Sequence, residues 1–359
     1  MAKILLMREL LTCFQINIIS KLLLKLAKNI FQYHPEKYMS IKIGIIMDPL
    51  PSINIKKDSS FAMMLAAQKL GWEIHTIYQP DLFTKNEKPR AFSRITHVED
   101  NPDHWYDFDS EQDIDLSSLD VILMRKDPPF DIEYITSTYI LELAEQNGSL
   151  IVNRPASLRD NNEKMFITQF SQCCTPFLVS RNKKRLRDFV NERYQEEKQD
   201  VILKPLDGMG GASIYRVNPQ DPNLSVILET VSEDETRTVM AQQFIPEIIN
   251  GDKRVLLIDG EAVPYALARV PASGETRGNL AAGGTGIGVE LTERDRWICQ
   301  QVSPVLKKQG ILFAGIDIIG DYLTEINITS PTCIRELDKI YSLDIAGDLM
   351  RCIQQHLTS

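Results

Sequence analysis

Between residues 41 and 152 short apolar runs alternate with helix-length segments, and that alternation limits the folds open to the chain. The run Ile41-Lys42-Ile43-Gly44-Ile45-Ile46-Met47 stops at Asp48-Pro49 and reads as a buried strand. Asp58 or Ser59 can cap a helix running to Leu70, Gly71 ends it, and Trp72 to Tyr78 reads as a second strand. Val121 to Met124 gives a third strand, Asp131 to Gln146 a helix closed by Gly148, and Leu150 to Val152 a fourth strand. Strands that alternate with helices imply an α/β region built on a parallel, doubly wound sheet.

From Asn161 the style changes to α+β. A helix through Phe170, a strand near Phe177 to Val179 and a charged helix from Lys183 to Lys198 are expected. Arg181, Lys183, Lys184, Arg185 and Arg187 read as a solvated face of that helix. Short strands follow at Val201 to Pro205, Ser213 to Val217 and Thr238 to Ile245. Arg254 to Ile258 and Ala262 to Arg269 are joined by Asp259-Gly260, which suits a tight hairpin turn. A helix from Thr292 to Gln309, with Gly310 behind it, leads to a final hairpin of Leu312 to Ile319 and Leu323 to Thr329.

Forty Lys and Arg against 49 Asp and Glu leave a net charge of -9, so no overall positive field is available to hold nucleic acid. Any anion must be gripped locally. The cysteines at 13, 173, 174, 299, 333 and 352 show no C-x-x-C and no metal-type spacing, which places the chain in a reducing cytoplasm. Cys173-Cys174 reads as packing before a strand. No H-E-x-x-H and no G-x-S-x-G occurs, which excludes zinc protease and serine hydrolase readings. Residues 1–39 carry +4 through Lys3, Arg8, Lys21, Lys25, Lys28 and Lys37 against Glu9 and Glu36. Lysines interrupt their apolar runs, so they make neither a membrane-spanning helix nor a signal peptide. The reading favoured is an extension upstream of a natural start at Met39; the alternative is a basic amphipathic helix on a membrane surface.

Three constellations carry chemistry. In Val201 to Ser213, Lys204 leaves a strand and precedes Gly208, Gly210 and Gly211, so backbone N–H groups and an ammonium can approach phosphate oxygens. The order is the reverse of a P-loop, whose lysine follows its glycines. Glu325 and Asn327 lie two apart on a strand and share a face. Asp317 stands opposite Glu325 if the connecting loop is the three residues 320–322, whereas a two-residue loop turns it to the wrong face. Three such oxygen donors suit Mg²⁺. Arg125, Arg254, Arg269 and Arg277 form the third set, and arginine forks that converge make a pocket for an acidic substrate. Six glycines between Val270 and Gly288 suit a mobile lid.

Four strings resemble bacterial glutathione synthetases: Met124-Arg125-Lys126-Asp127-Pro128-Pro129-Phe130, Leu203 to Ser213, Gly274-Glu275-Thr276-Arg277-Gly278-Asn279-Leu280, and Thr324 to Pro331. Ile45 to Pro49 and Asn54 to Phe61 are similar to that family too, so the resemblance covers nearly everything after Met39. It implies an ATP-grasp fold preceded by a sheet domain, with residues 40–163 on the substrate side. Residues 164–243 would then be the central subdomain over ATP, and 244–359 the C-terminal subdomain with the metal site and the mobile loop 270–288.

The resemblance also implies roles. Lys164 and Lys204 would hold ATP phosphates under Gly208, Gly210 and Gly211, while Gln242, Gln243, Phe244 and Ile245 would contact adenine with Asp252 nearby. Asp317, Glu325 and Asn327 would carry Mg²⁺, with Mn²⁺ as a substitute. Arg125, Arg254, Arg269 and Arg277 would bind the acid substrate, the last three also stabilising an acyl phosphate. The implied reaction joins gamma-glutamylcysteine to glycine as ATP goes to ADP and phosphate, in a cytoplasmic homo-oligomer, by resemblance a tetramer, with no membrane or nucleic-acid partner. Rival readings are a ligase of the same fold for another acid and amine, and a non-catalytic ATP-binding regulator.

Overall fold

The computed structural model describes residues 40–358, apart from 127, 128, 209, 210, 273, 276 and 279–282. The basic segment 1–39 and Gly210 therefore lie outside the described residues. Strand β1 (Lys42–Met47) pairs in parallel with β2 (Glu73–Tyr78) on one side and β6 (Val121–Met124) on the other, and β6 pairs in parallel with β7 (Leu150–Val152). Successive side chains of a strand point to opposite faces. Accordingly Ile43, Ile45 and Met47 join one apolar core with Phe61 and Met64 of α1 (Ser59–Lys69), while Ile46 joins another with Tyr134 and Leu141 of α2 (Ile132–Gln146). Asp58 and Asp131 cap these helices by accepting from the N–H groups of Phe61 and Tyr134.

The expected parallel sheet is thus present, with an antiparallel extension that the pattern did not show. Strands β3 (Leu82–Lys85), β4 (Lys88–Val98) and β5 (Tyr106–Asp115) enlarge the sheet to seven strands, and β4 pairs antiparallel with β2, β3 and β5. β5 is exposed over most of its length, so its acidic side chains carry no apolar alternation to read. The helix expected through Phe170 is instead 3-10 turns over Phe166–Cys173, kinked where Phe170 takes φ -128° and ψ 50°.

A second sheet, wholly antiparallel, has the order β10-β9-β11-β8, from β8 (Phe177–Ser180), β9 (Val201–Pro205), β10 (Tyr215–Val217) and β11 (Val239–Gln243). The helix expected from Lys183 is α4 (Lys183–Glu197), which follows α3 (Pro155–Asp160) in the chain, and α5 (Leu224–Val231) joins it on this sheet's own core. The third sheet is antiparallel in the order β14-β13-β12-β15-β16: β12 (Asp252–Ile258), β13 (Glu261–Val270), β14 (Thr285–Glu290), β15 (Phe313–Ile319) and β16 (Tyr322–Asn327). Residues 285–288 of the expected mobile loop are therefore strand. Asp259 and Gly260 turn the β12–β13 hairpin with φ of 44° and 72°, as the two positive angles of a type I′ turn require. Helices α6 (Glu293–Lys308), α7 (Ile334–Tyr341) and α8 (Ile345–Thr358) complete the fold, and residues 41–359 form one compact unit.

His75 on β2 is buried, with Nδ1 2.8 Å from the Ser93 hydroxyl and Nε2 2.9 Å from a Glu73 oxygen. Burial pulls its pKa below 6.5, against the opposing pull of Glu73. The unfolded imidazole takes up a proton near its ordinary value and the folded one only at lower pH, so this contribution is complete above 6.5 and lost on acidification. Urea unfolding followed from about pH 7.5 to about pH 5 should show the decline, and His75→Gln should flatten it. A His75→Gln profile parallel to that of the parent would place the acid sensitivity elsewhere.

Candidate active site

The second and third sheets meet over a cleft of about 340 Å³. On β9 the odd positions Val201 and Leu203 enter the apolar core, which leaves Ile202 and Lys204 on the cleft face. Gln242 of β11 pairs with Ile202 and shares that face, while Phe244 and Ile245, just past the strand, also line the cleft. Asn162 donates to the Leu206 carbonyl at 2.9 Å and Lys164 Nζ to the Gly208 carbonyl at 2.8 Å, which ties down the start of the glycine-rich loop. A side chain at Gly208 would meet Pro205 Cγ at 2.9 Å, so only glycine lets the loop fold back here.

Cross-strand register lays a band of charges over the third sheet. Asp252 pairs with Arg269, Arg254 with Asp317 and Asp317 with Glu325, across β13, β12, β15 and β16 in turn. The last pairing departs from the expected loop. The β15–β16 turn has two residues, Gly320 and Asp321, and Ile319 faces Tyr322. A β-bulge between Ile318 and Asp317 then inserts Thr324 unpaired and restores Asp317 to the face of Glu325 and Asn327.

The Arg254 guanidinium grips Asp317 with both arms, Nε to Oδ1 at 2.5 Å and a terminal nitrogen to Oδ2 at 2.9 Å. Arg269 reaches Asp317 Oδ2 at 2.8 Å and Asp252 Oδ2 at 2.5 Å. Burial works against the charge on Asp317, but the two guanidiniums overcome it and hold the carboxyl at about 2. Asp252 goes the other way: burial, with repulsion from Asp317 and Glu325, raises it to about 7. Lys164 and Lys204 converge on Glu325 Oε1, at 3.6 Å and 3.9 Å. Burial pulls the Lys204 ammonium below its ordinary pKa.

The cleft wall thus brings together Lys164, Lys204, Gly208, Gly211, Gln242, Gln243, Phe244, Ile245, Asp252, Arg254, Arg269, Arg277, Glu325 and Asn327. Asp317 sits beneath the wall and is 2 % exposed. Arg125 is set apart from the cleft; it donates to the Pro331 carbonyl at 2.8 Å and to Ser60 at 3.2 Å, behind the segment that contributes Ser330 and Thr332. Arg277 pairs with Glu275 at 3.0 Å.

Glu163 was not foreseen. It lines the cleft and bonds the Lys164 ammonium, and burial plus the nearby Glu325 push its carboxyl to about 7. Its only sequence signal is an acid directly before Lys164. The carboxyl oxygens of Glu163, Asp252 and Glu325 together with the Asn327 amide oxygen give the cleft a set of hard donors that fits a divalent cation. Gln242 Nε2 and Asp252 Oδ1 are buried without a hydrogen-bond partner among the described residues, which fits a polar ligand in the cleft.

Residues 41–159 match the prokaryotic glutathione synthetase N-terminal domain, and residues 163–342 match the prokaryotic glutathione synthetase ATP-grasp domain. A glutathione synthetase of Pseudomonas putida is 59% identical over 319 residues, which cover 89% of this chain and 99% of that protein. One of Escherichia coli is 58% identical over 317 residues, 88% of this chain and 99% of that protein. Among solved structures, D-cycloserine synthetase DcsG aligns over 88% of this chain and 99% of its own with a TM-score of 0.62 at 14% identity, a likeness of fold. The antiparallel sheets that clasp the cleft are those of an ATP-grasp fold, and the chain belongs to the prokaryotic glutathione synthetase family.

Proposed function

We propose that the protein joins gamma-glutamylcysteine to glycine with cleavage of ATP to ADP and phosphate, as the name glutathione synthetase borne by its relatives describes. The observation that carries this reading is the single cleft in which two lysines, a glycine-rich loop, three arginines and a set of carboxylates converge. Lys164 and Lys204 hold the ATP phosphates, Gly208, Gly210 and Gly211 cover them, and Gln242 to Ile245 take the adenine, with Asp252 nearby. Glu325 and Asn327 hold a divalent cation; Asp317 joins them once Arg254 and Arg269 exchange it for a substrate carboxylate. Oxygen donors of this kind favour Mg²⁺, with Mn²⁺ as a substitute. When bound, the cation offsets the charge that develops on the transferring phosphoryl group.

The cysteinyl carboxylate attacks the gamma-phosphorus in line, an O–P bond forms, and the bond to ADP breaks with its electron pair going to ADP. The glycine amine then adds to the acyl carbon, a C–N bond forms, and phosphate leaves with the C–O bonding pair and takes up the proton that the amine gives up. Arg254, Arg269 and Arg277 stabilise the oxyanions of both steps, and Arg125 supports the substrate end of the cleft through Pro331. We assign residues 40–163, 164–243 and 244–359 to three domains, each centred on one of the three sheets, and the protein to the cytoplasm as a homo-oligomer, a tetramer by family resemblance. Among the described residues no helix is long and apolar enough to cross a membrane.

Phosphate release from ATP should require gamma-glutamylcysteine and should match tripeptide formation only when glycine is present; phosphate release indifferent to both would overturn the reading. Arg277→Ala should lower tripeptide formation about a hundredfold, with a much smaller effect on ATP affinity, because its contact strengthens in the transition state. Uncoupled phosphate release should rise as water gains entry. Unchanged coupling would mean that residues 271–284 are only a connection between β13 and β14.

A further inference from the structure

At the end of the β12–β13 hairpin remote from Asp252 and Arg269 of the cleft, the C-terminal helix α8 carries Cys352 and His356 four residues apart, so both side chains leave one face a turn apart. That face meets the Asp259-Gly260 turn of the β12–β13 hairpin. One ligand atom from each of Asp259, Cys352 and His356 lies within 4.8 Å of the other two, and His356 Nε2 is 4.0 Å from Asp259 Oδ2. None of the three lines the cleft. We propose that these side chains form a second metal site, for a borderline-soft divalent transition ion of which Zn²⁺ is the fitting case.

The donor set decides the class of ion. A thiolate sulfur, an imidazole nitrogen and one carboxylate oxygen are the ligands of zinc, whereas Mg²⁺ and Ca²⁺ take oxygens. Thiolate and carboxylate together balance a charge of two, and water fills the fourth position of a tetrahedral ion. Ligand atoms around such an ion lie about 3.3–3.8 Å apart, so the trio must close by roughly an ångström. The side chains of His356 and Asp259, each 41% exposed, have room for it. Burial and Asp259 hold the Cys352 thiol above its ordinary pKa, against the pull of Lys307, whose ammonium lies 3.3 Å from a Glu261 oxygen, so a metal ion displaces the thiol proton as it binds. The position of the trio gives the site a consequence. An ion there clips the C-terminal helix to a hairpin turn whose strands run on to Arg254 and Arg269 of the cleft.

The test uses the full chain, stripped with chelator and then titrated with Co²⁺ alone, because a cobalt thiolate has a ligand-to-metal charge-transfer band in the near ultraviolet that oxygen sites lack. Expected are one equivalent of Co²⁺ bound with that band, its loss on addition of Zn²⁺, and a rise in Tm of about 5 °C with Zn²⁺. Cys352→Ser should abolish the band and His356→Gln should weaken binding at least about tenfold, while both variants form glutathione at the parent rate. A band that persists in Cys352→Ser would place the metal on another thiol and overturn the proposal. So would the absence of any band, or Zn²⁺ stabilisation that is unchanged in a variant carrying both substitutions.

Discussion

Glu325→Gln is expected to lower glutathione formation by about a thousandfold while leaving the fold intact, the scale seen when one charge-stabilising group is taken from a water-excluded site. Glu325 is the point on which Lys164 and Lys204 converge, and Glu163 is raised partly by its charge. The amide keeps the shape of the side chain but withdraws the charge that orients both ammonium groups and the hard oxygen that suits a divalent cation. Turnover measured across a Mg²⁺ titration, beside circular dichroism and urea unfolding, separates the two effects. Full activity in Glu325→Gln would remove Glu325 from the metal set, and an unfolded variant would make its role structural.

Asp317→Asn is expected to cost about 3–5 kcal/mol of stability, the scale for removing one partner of a buried ion pair. Asp317 is 2 % exposed and is shared by Arg254 and Arg269, which are themselves buried. The amide leaves two guanidiniums with no carboxylate between them except Asp252, which already answers Arg269. Urea unfolding at pH 7 reads the loss directly. A cost below about 1 kcal/mol would show that the band of charges is held by something other than this carboxylate. If Asp317 also joins the metal set, saturating Mg²⁺ and ATP should restore less stability to the variant than to the parent.

Local chemistry made much of the fold legible. The apolar run at β1, the Asp58 and Asp131 caps, and the Asp259-Gly260 turn each state their structure within a few residues, because caps, turn angles and strand periodicity are short-range effects. Strand β5 was silent for the converse reason, since an exposed strand needs no apolar alternation and its hydrogen bonds to β4 make it a strand, while β4 turns inward the small or polar residues Pro89, Ala91 and Ser93, which give no apolar signal. Phe166–Cys173 has the composition of a helix, yet it forms 3-10 turns broken at Phe170, with Phe166, Ile167, Phe170 and Cys173 buried.

For the site the division is sharper. Sequence alone singled out residues that the fold brings to the cleft: Lys204 before its glycines, Glu325 and Asn327 on one strand face, and the arginines of β12 and β13. Tertiary structure decided how they meet. Glu163 reaches the cleft beside Lys164, which folds against Glu325, and Arg125 lies outside it, bonded to the Pro331 carbonyl. Asp317 reaches the face of Glu325 by a bulge that cancels the effect of a two-residue turn. Periodicity names the face of a single strand, whereas the register between two strands is set by backbone hydrogen bonds and packing across them, and one inserted residue reverses it.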